Sequence, residues 1–222
     1  RTMLHLRAPR ILAISGSNRA GSFNTKLLTH AMTLLKAQGA EVTRAVIPDT
    51  LPVFNEDLEA NTPSGALELK NLFRNSDALV IASPEYNGFP TPLLFNAFTW
   101  MSRGLGEENP GGMYEPFRHR TALLLSASPG ALGGMRAHPV TRHYLSNIGM
   151  DVLADAVAVG SAFKAFNEDG SLADENLAAA LQAATQTLLV KSRGDANQEG
   201  LCKAVHMLGE MGALQFEKKN ST

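Results

Sequence analysis

Short apolar runs alternate with amphipathic stretches of helical spacing, and this alternation limits what the chain can fold into. Ile11 to Ser15 is apolar and closed by Gly16, which suits a buried strand. Asn24 to Gln38 then sets Leu27, Leu28, Ala31, Leu34 and Leu35 on one helical face and stops at Gly39. The pattern repeats. Strands are expected over Glu41 to Ile47, Asp77 to Ser83, Thr121 to Ala127 and Val152 to Val159. Helices are expected over Ala66 to Phe73, with Ser64 as N-cap, and over Pro92 to Met101, where Pro92 suits a first turn. Two more are expected over Met135 to Ile148 and Leu172 to Lys191, the last entered near Asp174. Pro48 to Pro63 and Arg103 to Phe117 read as surface loops.

Five strands separated by helices predict an α/β fold: a doubly wound parallel sheet with helices on both faces and right-handed crossovers. Such a sheet offers a crevice beyond the carboxyl ends of its strands, where the strand order reverses. With 222 residues, one domain over 1–191 is expected, followed by a C-terminal extension over 192–222. The extension carries a helical stripe of Val205, Leu208, Met211 and Leu214, to be packed on the domain or on a partner subunit.

Bulk properties remove several classes of function. The formal net charge is −1, which gives no general attraction to nucleic acid or to an anionic membrane. No apolar run approaches the ~18 residues that would cross a bilayer. A single cysteine, Cys202, forbids an intrachain disulfide framework and fits a reducing compartment, so a cytoplasmic location is expected. The six histidines are scattered, and His138 and His143 do not share a helical face well, so no metal site is expected.

The chemistry lies in the loops after the strands. The first loop is Gly16-Ser17-Asn18-Arg19-Ala20-Gly21-Ser22-Phe23-Asn24. Glycines let main-chain N–H groups turn towards a ligand, and a helix start adds free donors and a partial positive field. Ser17, Ser22 and Asn24 add polar donors, and Arg19 adds a planar cationic fork. The set fits a terminal phosphate monoester; an ordinary turn with Ser22 or Asn24 as N-cap is the plain alternative. There is neither a Gly-Lys-Ser/Thr ending nor a Gly-x-Gly-x-x-Gly pattern, which disfavours a nucleoside triphosphate or a dinucleotide here.

The second loop is Ser83-Pro84-Glu85-Tyr86-Asn87-Gly88-Phe89-Pro90-Thr91-Pro92. Its prolines make it stiff, which suits a segment that presents main-chain groups to a flat heterocycle. Tyr86 and Phe89 can lie against a ring, and Asn87 can both donate and accept. The alternative is a rigid turn whose aromatics pack in the core or at an oligomer interface. The third loop, Ser126 to Gly134, holds three glycines that permit close backbone approach; a flexible connection is its alternative. Strands one, three and four should be neighbours, so the three loops converge. One monophosphate joined to one flat tricycle describes FMN.

The first loop resembles the Gly-Ser-x-Arg-x-x-Ser-x-Asn phosphate motif of the NADPH-dependent FMN reductase family. The second is similar to that family's Pro-Glu-Tyr-Asn-Gly motif. Leu94, Asn96, Ala97 and Trp100 match the family's next helix, and the third loop with Arg136 resembles the family's Ser-x-Gly-x-x-Gly-Gly-x-Arg region. The match runs from about Arg10 to Lys191. Phe95, Thr99, Thr91 and Ala131 depart from the common pattern.

The resemblance implies a flavodoxin-like sheet of order 2-1-3-4-5 with FMN at the switch point. Ser17, Arg19, Ser22, Phe23 and Asn24 would hold the phosphate end, Pro84, Glu85, Tyr86, Asn87 and Gly88 would line the ring, and Ser128 and Gly130 would close the other side. It also implies NADPH or NADH as electron donor, a small acceptor (quinone, azo compound, chromate or free flavin), and a homodimer or homotetramer through the 92–102 helix. No protein side chain is expected to act as a catalytic acid or base, because the flavin carries the chemistry. A flavodoxin-type electron carrier, a flavin-binding module without turnover and an FAD-using quinone reductase are the rival expectations. Arg103 and Arg118 are further candidates for a ribose phosphate.

Overall fold

A computed structural model of the chain describes residues 7–104 and 112–193. Its main sheet has five parallel strands: β1 (Arg10–Ser15), β2 (Glu41–Ala45), β3 (Ala78–Ala82), β6 (Thr121–Ala127) and β7 (Asp151–Val159). They lie in the order β2-β1-β3-β6-β7, which is the expected order of a flavodoxin-like sheet, since β6 and β7 are the fourth and fifth strands of the main sheet. Two short strands, β4 (Glu85–Tyr86) and β5 (Phe89–Pro90), form a separate hairpin.

Period-two alternation sends each central strand's side chains to both faces. Ile11 and Ala13 of β1, Ala78, Val80 and Ala82 of β3, and Leu123, Leu125 and Ala127 of β6 face one layer of helices. That layer is α1 (Phe23–Ala37) and α5 (175–193), which contribute Leu27, Leu28, Ala31, Leu35, Leu181, Ala184 and Leu188. Leu12, Ile14, Leu79, Ile81, Ala122 and Leu124 face the opposite way. They meet α2 (Ser64–Arg74), α3 (Pro92–Ser102) and α4 (Ala137–Asn147) through Leu69, Phe73, Leu94, Phe98 and Leu145. Strands covered on both faces have no polar period to show, so β3 and β6 appear in the sequence as unbroken apolar runs. Each large side chain so buried contributes about 1.5–3 kcal/mol. The edge strand β2 is mostly exposed and carries Glu41 and Arg44, which discourages pairing with another chain.

Helix starts differ slightly from expectation. Pro63, not Ser64, holds the cap position of α2, and it makes no side-chain cap bond. Asp174 does cap α5, accepting from the amides of Asn176 and Leu177 at 2.9 Å each. A 3-10 turn (Glu56–Asn61) interrupts the long loop after β2. The expected helix over 201–216 lies outside the described residues, as does most of the 192–222 extension. No described helix is long and apolar enough to cross a membrane.

Candidate functional site

The loops after β1, β3 and β6 meet at the carboxyl edge of the sheet. The first is tied down by two hydrogen bonds at Gly16. Gly16 donates its N–H to Ala82 O of β3 at 2.8 Å, and its carbonyl accepts from Thr91 Oγ1 at 2.7 Å. A Cβ at Gly16 would lie 2.7 Å from Ser83 Oγ and 2.9 Å from Thr91 Oγ1, so only glycine lets the first and second loops approach this closely. Thr91 also caps α3 by accepting from Leu94 N. The departure from the family's usual residue at this position is therefore a latch between two loops.

Ser22 caps α1, accepting from Thr25 N at 3.3 Å. This leaves the positive end of a fifteen-residue helix at the mouth, although the amides of Ser17, Arg19 and Ser22 already donate within the loop. Ser17 Oγ accepts from Arg19 N at 3.3 Å and shapes the turn before it. Arg19 is exposed. Its guanidinium reaches only the carbonyls of Ala20 and Gly21 and lies 5.7 Å from the Phe23 ring centroid, so it remains free to turn to an anion.

Asn24 has a different use from the expected phosphate contact. It is buried, its Nδ2 donates to Ala127 O at 2.8 Å, and its Oδ1 accepts from Ala127 N at 2.9 Å. The amide is spent on sewing α1 to the end of β6. Asn24 therefore positions the cradle instead of lining it.

The second loop is a hairpin, which sequence reading missed. Asn87 (φ 55°) and Gly88 (φ 81°) form its two-residue turn, and both occupy the left-handed region that such turns require. The Asn-Gly pair between Tyr86 and Phe89 was the available signal. Tyr86 and Phe89 are 57 % and 55 % exposed, so neither packs in the core. Glu85, Tyr86, Asn87, Phe89, Pro90 and Pro92 line an open hollow of about 580 Å³. Glu85 itself turns away from solvent and binds Arg136, the residue just before α4.

The third loop rests on the end of β7. Ser128 donates its N–H to Val159 O at 3.0 Å and accepts from Ala162 N at 3.1 Å, while Gly130 O accepts from Ser161 N at 3.3 Å. Gly133 (φ 62°) passes so near Val159 that a Cβ would meet its backbone at 2.7 Å. These contacts fix a fourth segment at the edge, 160–163, which sequence reading did not single out. Its Phe163 is 78 % exposed and meets the Phe23 ring edge-on at 5.2 Å. An aromatic just past the end of the last strand was the only sequence signal.

Phosphate-type donors, a cation, exposed aromatics and close main-chain approaches thus share one edge, and that donor set fits a flavin monophosphate. Arg103 and Arg118 do not join it. Helix α3 runs back down from the edge, so Arg103 at its end lies by the amino ends of the strands, as does Arg118 just before β6. Arg103 instead lies 4.8 Å over the Phe54 ring. Beneath the hairpin, burial pushes His138 down to about 4; the Arg142 charge adds to this, and Glu85 opposes it. Among the described residues no cluster of histidine, cysteine and acidic side chains could hold a metal ion.

Comparison with known proteins agrees with the geometry. The chain is 33 % identical over 181 residues to an NAD(P)H-dependent FMN reductase of Pseudomonas aeruginosa, covering 81 % of this chain and 92 % of that one. It is 30 % identical over 167 residues to a quinone reductase of Pseudomonas putida, covering 74 % and 85 %. Among solved structures, the flavoenzyme NAD(P)H:acceptor oxidoreductase FerB of Paracoccus denitrificans superposes with a TM-score of 0.73 at 26 % identity, over 85 % of this chain and 99 % of that one. The profile of the NADPH-dependent FMN reductase family matches residues 9–164, and the chain belongs to that family.

Proposed function

We propose that the carboxyl edge of this sheet holds FMN, with the phosphate in the first loop and the ring across the hairpin, and that the protein passes electrons from NADPH or NADH to a quinone-like small molecule. The observation that carries this reading is the convergence of an exposed arginine, bonded only to two carbonyls of its own loop, at a helix start with a rigid hairpin presenting two exposed aromatics. When bound, FMN supplies the redox chemistry, accepting a hydride from the nicotinamide and giving two electrons to the acceptor.

The protein's part is placement. Ser17, Ser22 and the amides around Gly21 offer donors to the phosphate, and Arg19 offers charge. Pro84, Tyr86, Asn87 and Gly88 present the hairpin's main chain and side chains to the ring. Ser128 and Gly130 bound the opposite side, and Phe23 with Phe163 forms an apolar wall beside the cradle. Donors aimed at the ring's pyrimidine edge would favour the reduced, anionic form. A homodimer or homotetramer through the 92–102 helix belongs to the same reading. Within the chain Leu93 packs on the core and Phe95 meets Tyr144 edge-on at 4.9 Å, while Pro92 is exposed; sedimentation velocity checks the assembly. A cytoplasmic location suits a chain with one cysteine.

The decisive experiment is a visible spectrum of the purified protein with FMN, before and after anaerobic NADPH, and again after a quinone is added. The expected result is a bound flavin that bleaches with NADPH and recovers with quinone. A flavin that binds but never bleaches would leave an electron carrier, and no uptake of FMN would remove the reading altogether.

A further inference from the structure

Glu85 stands in the segment read as facing the flavin ring, yet its side chain is only 5 % exposed. Its Oε1 accepts from Arg136 Nε at 2.7 Å and is ion-paired with Nη2 of the same guanidinium. Its Oε2 accepts from the Arg136 main-chain N–H at 3.1 Å. Arg136 occupies the cap position of α4, so the carboxylate also faces the positive end of that helix. One residue therefore gives Glu85 a full charge and a main-chain donor, and its own side chain remains 66 % exposed. The other cation nearby, Arg142, is turned to β7, donating to Val152 O at 2.7 Å and Ala154 O at 3.4 Å. Burial, helped by the Arg142 charge, pushes His138 down to about 4, so it adds no cation here.

The hairpin needs such an anchor. It has two residues per strand and no pairing with the main sheet, and a ladder of that size has little stability by itself. Gly134, which a Cβ would bring within 3.5 Å of the Glu85 side chain, lets the third loop pass directly beside the clasp.

We propose that Arg136 is a positioning and charge-compensating residue of the flavin site: through Glu85 it fixes the hairpin against the third loop and cancels the charge of a carboxylate kept beside the ring. The inference rests on the FMN reading above and adds a tuning role to it. Reduction brings negative charge to the ring. An unpaired Glu85 opposes that, and an unpaired Arg136 favours it. The two leftover charges differ in burial, so water and salt screen the arginine far more than the carboxylate.

The test is the midpoint potential of bound FMN at pH 8, read by spectra against a reference dye, in Arg136→Met, Glu85→Gln and the double variant. FMN affinity and thermal melting are measured in parallel. Arg136→Met should move the potential to more negative values. Glu85→Gln should move it less, in the positive direction, and high salt should diminish that shift. The double variant should return to the wild-type value. Arg136→Lys, which keeps the charge and loses the Nε contact, should hold the wild-type potential while raising KM for the acceptor severalfold. Single-variant shifts of one sign, or none with FMN bound, would overturn the proposal. Folded variants that lose FMN altogether would also overturn it, and if Arg136→Met does not fold, a displaced potential in Arg136→Lys does the same. Wild-type protein that takes up no FMN would instead refute the underlying reading.

Discussion

At the amino ends of the strands Asp77 is gripped by two arginines, while at the carboxyl ends Arg19 finds only the carbonyls of its own loop. Arg7 holds Asp77 through its two terminal guanidinium nitrogens at 2.6 and 2.7 Å, and Arg10 adds its main-chain N–H at 2.7 Å. The carboxyl edge instead exposes Tyr86, Phe89, Leu132, Met135 and Phe163, and bends through left-handed residues at Asn87, Gly88, Gly133, Gly134 and Ser161. The same sheet thus has one edge where a carboxylate is closed into an ion pair with two arginines and one where an exposed arginine meets only its own loop beside exposed aromatics. Large exposed apolar side chains gathered beside an exposed cation mark binding, whereas a closed ion-pair network marks stability.

Asn24→Ala attacks this comparison where the two roles meet and should have the largest effect. It strips both partners from the buried main chain of Ala127. Each orphaned group costs on the order of 1–3 kcal/mol, so a stability loss of about 3 kcal/mol is expected in urea titration. FMN affinity should fall as well, because α1 and the end of β6 lose their common seam. A variant that loses stability and keeps full affinity would separate the cradle from the seam.

Asp77→Asn tests the other edge. It weakens a carboxylate held by two cations and should cost about 2 kcal/mol of stability while leaving FMN affinity unchanged. Burial alone would raise the Asp77 carboxyl, but the bonds and charges of Arg7 and Arg10 outweigh it and hold the group below its ordinary value. A depressed carboxylate stabilises the fold above its unfolded value and loses that contribution as pH falls through the folded one. The wild type should therefore weaken in acid more than Asp77→Asn does, as read by urea midpoints from pH 6 downwards.

How far the sequence revealed these edges depended on whether local pattern or distant partners decided a feature. Strand β6 falls on its expected residues, Thr121 to Ala127, because burial on both faces leaves an uninterrupted apolar run. The convergence of the three loops was legible too, since each succeeds a strand and neighbouring strands place them together, whereas the full strand order came from the family resemblance. The hairpin was missed because two-residue strands have no period to read, although Asn-Gly announced its turn. Asn24 was misread because a cap residue and a seam residue look alike until a strand 103 positions away supplies the partner. Arg103 and Arg118 were misplaced because composition does not record the direction in which a helix runs.

Arg19→Ala should do the reverse of Asp77→Asn, lowering FMN affinity by about 1.5–3 kcal/mol, roughly ten- to a hundredfold, with melting of the apoprotein unchanged. Fluorescence quenching of FMN reads the affinity. Unchanged affinity would mean that the loop amides alone hold the phosphate, and the charge asymmetry between the edges would then have no bearing on ligand binding.

His138 gives the smallest and most selective effect, because it lies under the open edge without touching its mouth. Its Nε2 is buried with no hydrogen-bond partner, and its folded value is about 4 against an ordinary 6.5. Between those values the unfolded chain binds a proton that the folded chain refuses, so stability rises with pH across that window and is lost as pH falls through it. The loss should be about 1–2 kcal/mol between pH 6.5 and 4.5, less than the shift alone implies because the ring is not fully enclosed. In His138→Gln that part of the acid slope should vanish, while the part due to Asp77 persists. Because His138 sits two residues along α4 from the clasp of Arg136 and Glu85, a parallel loss of bound FMN over the same pH range would show that acid opens the carboxyl edge first. Retention of FMN down to the global unfolding transition would show instead that both edges come apart together.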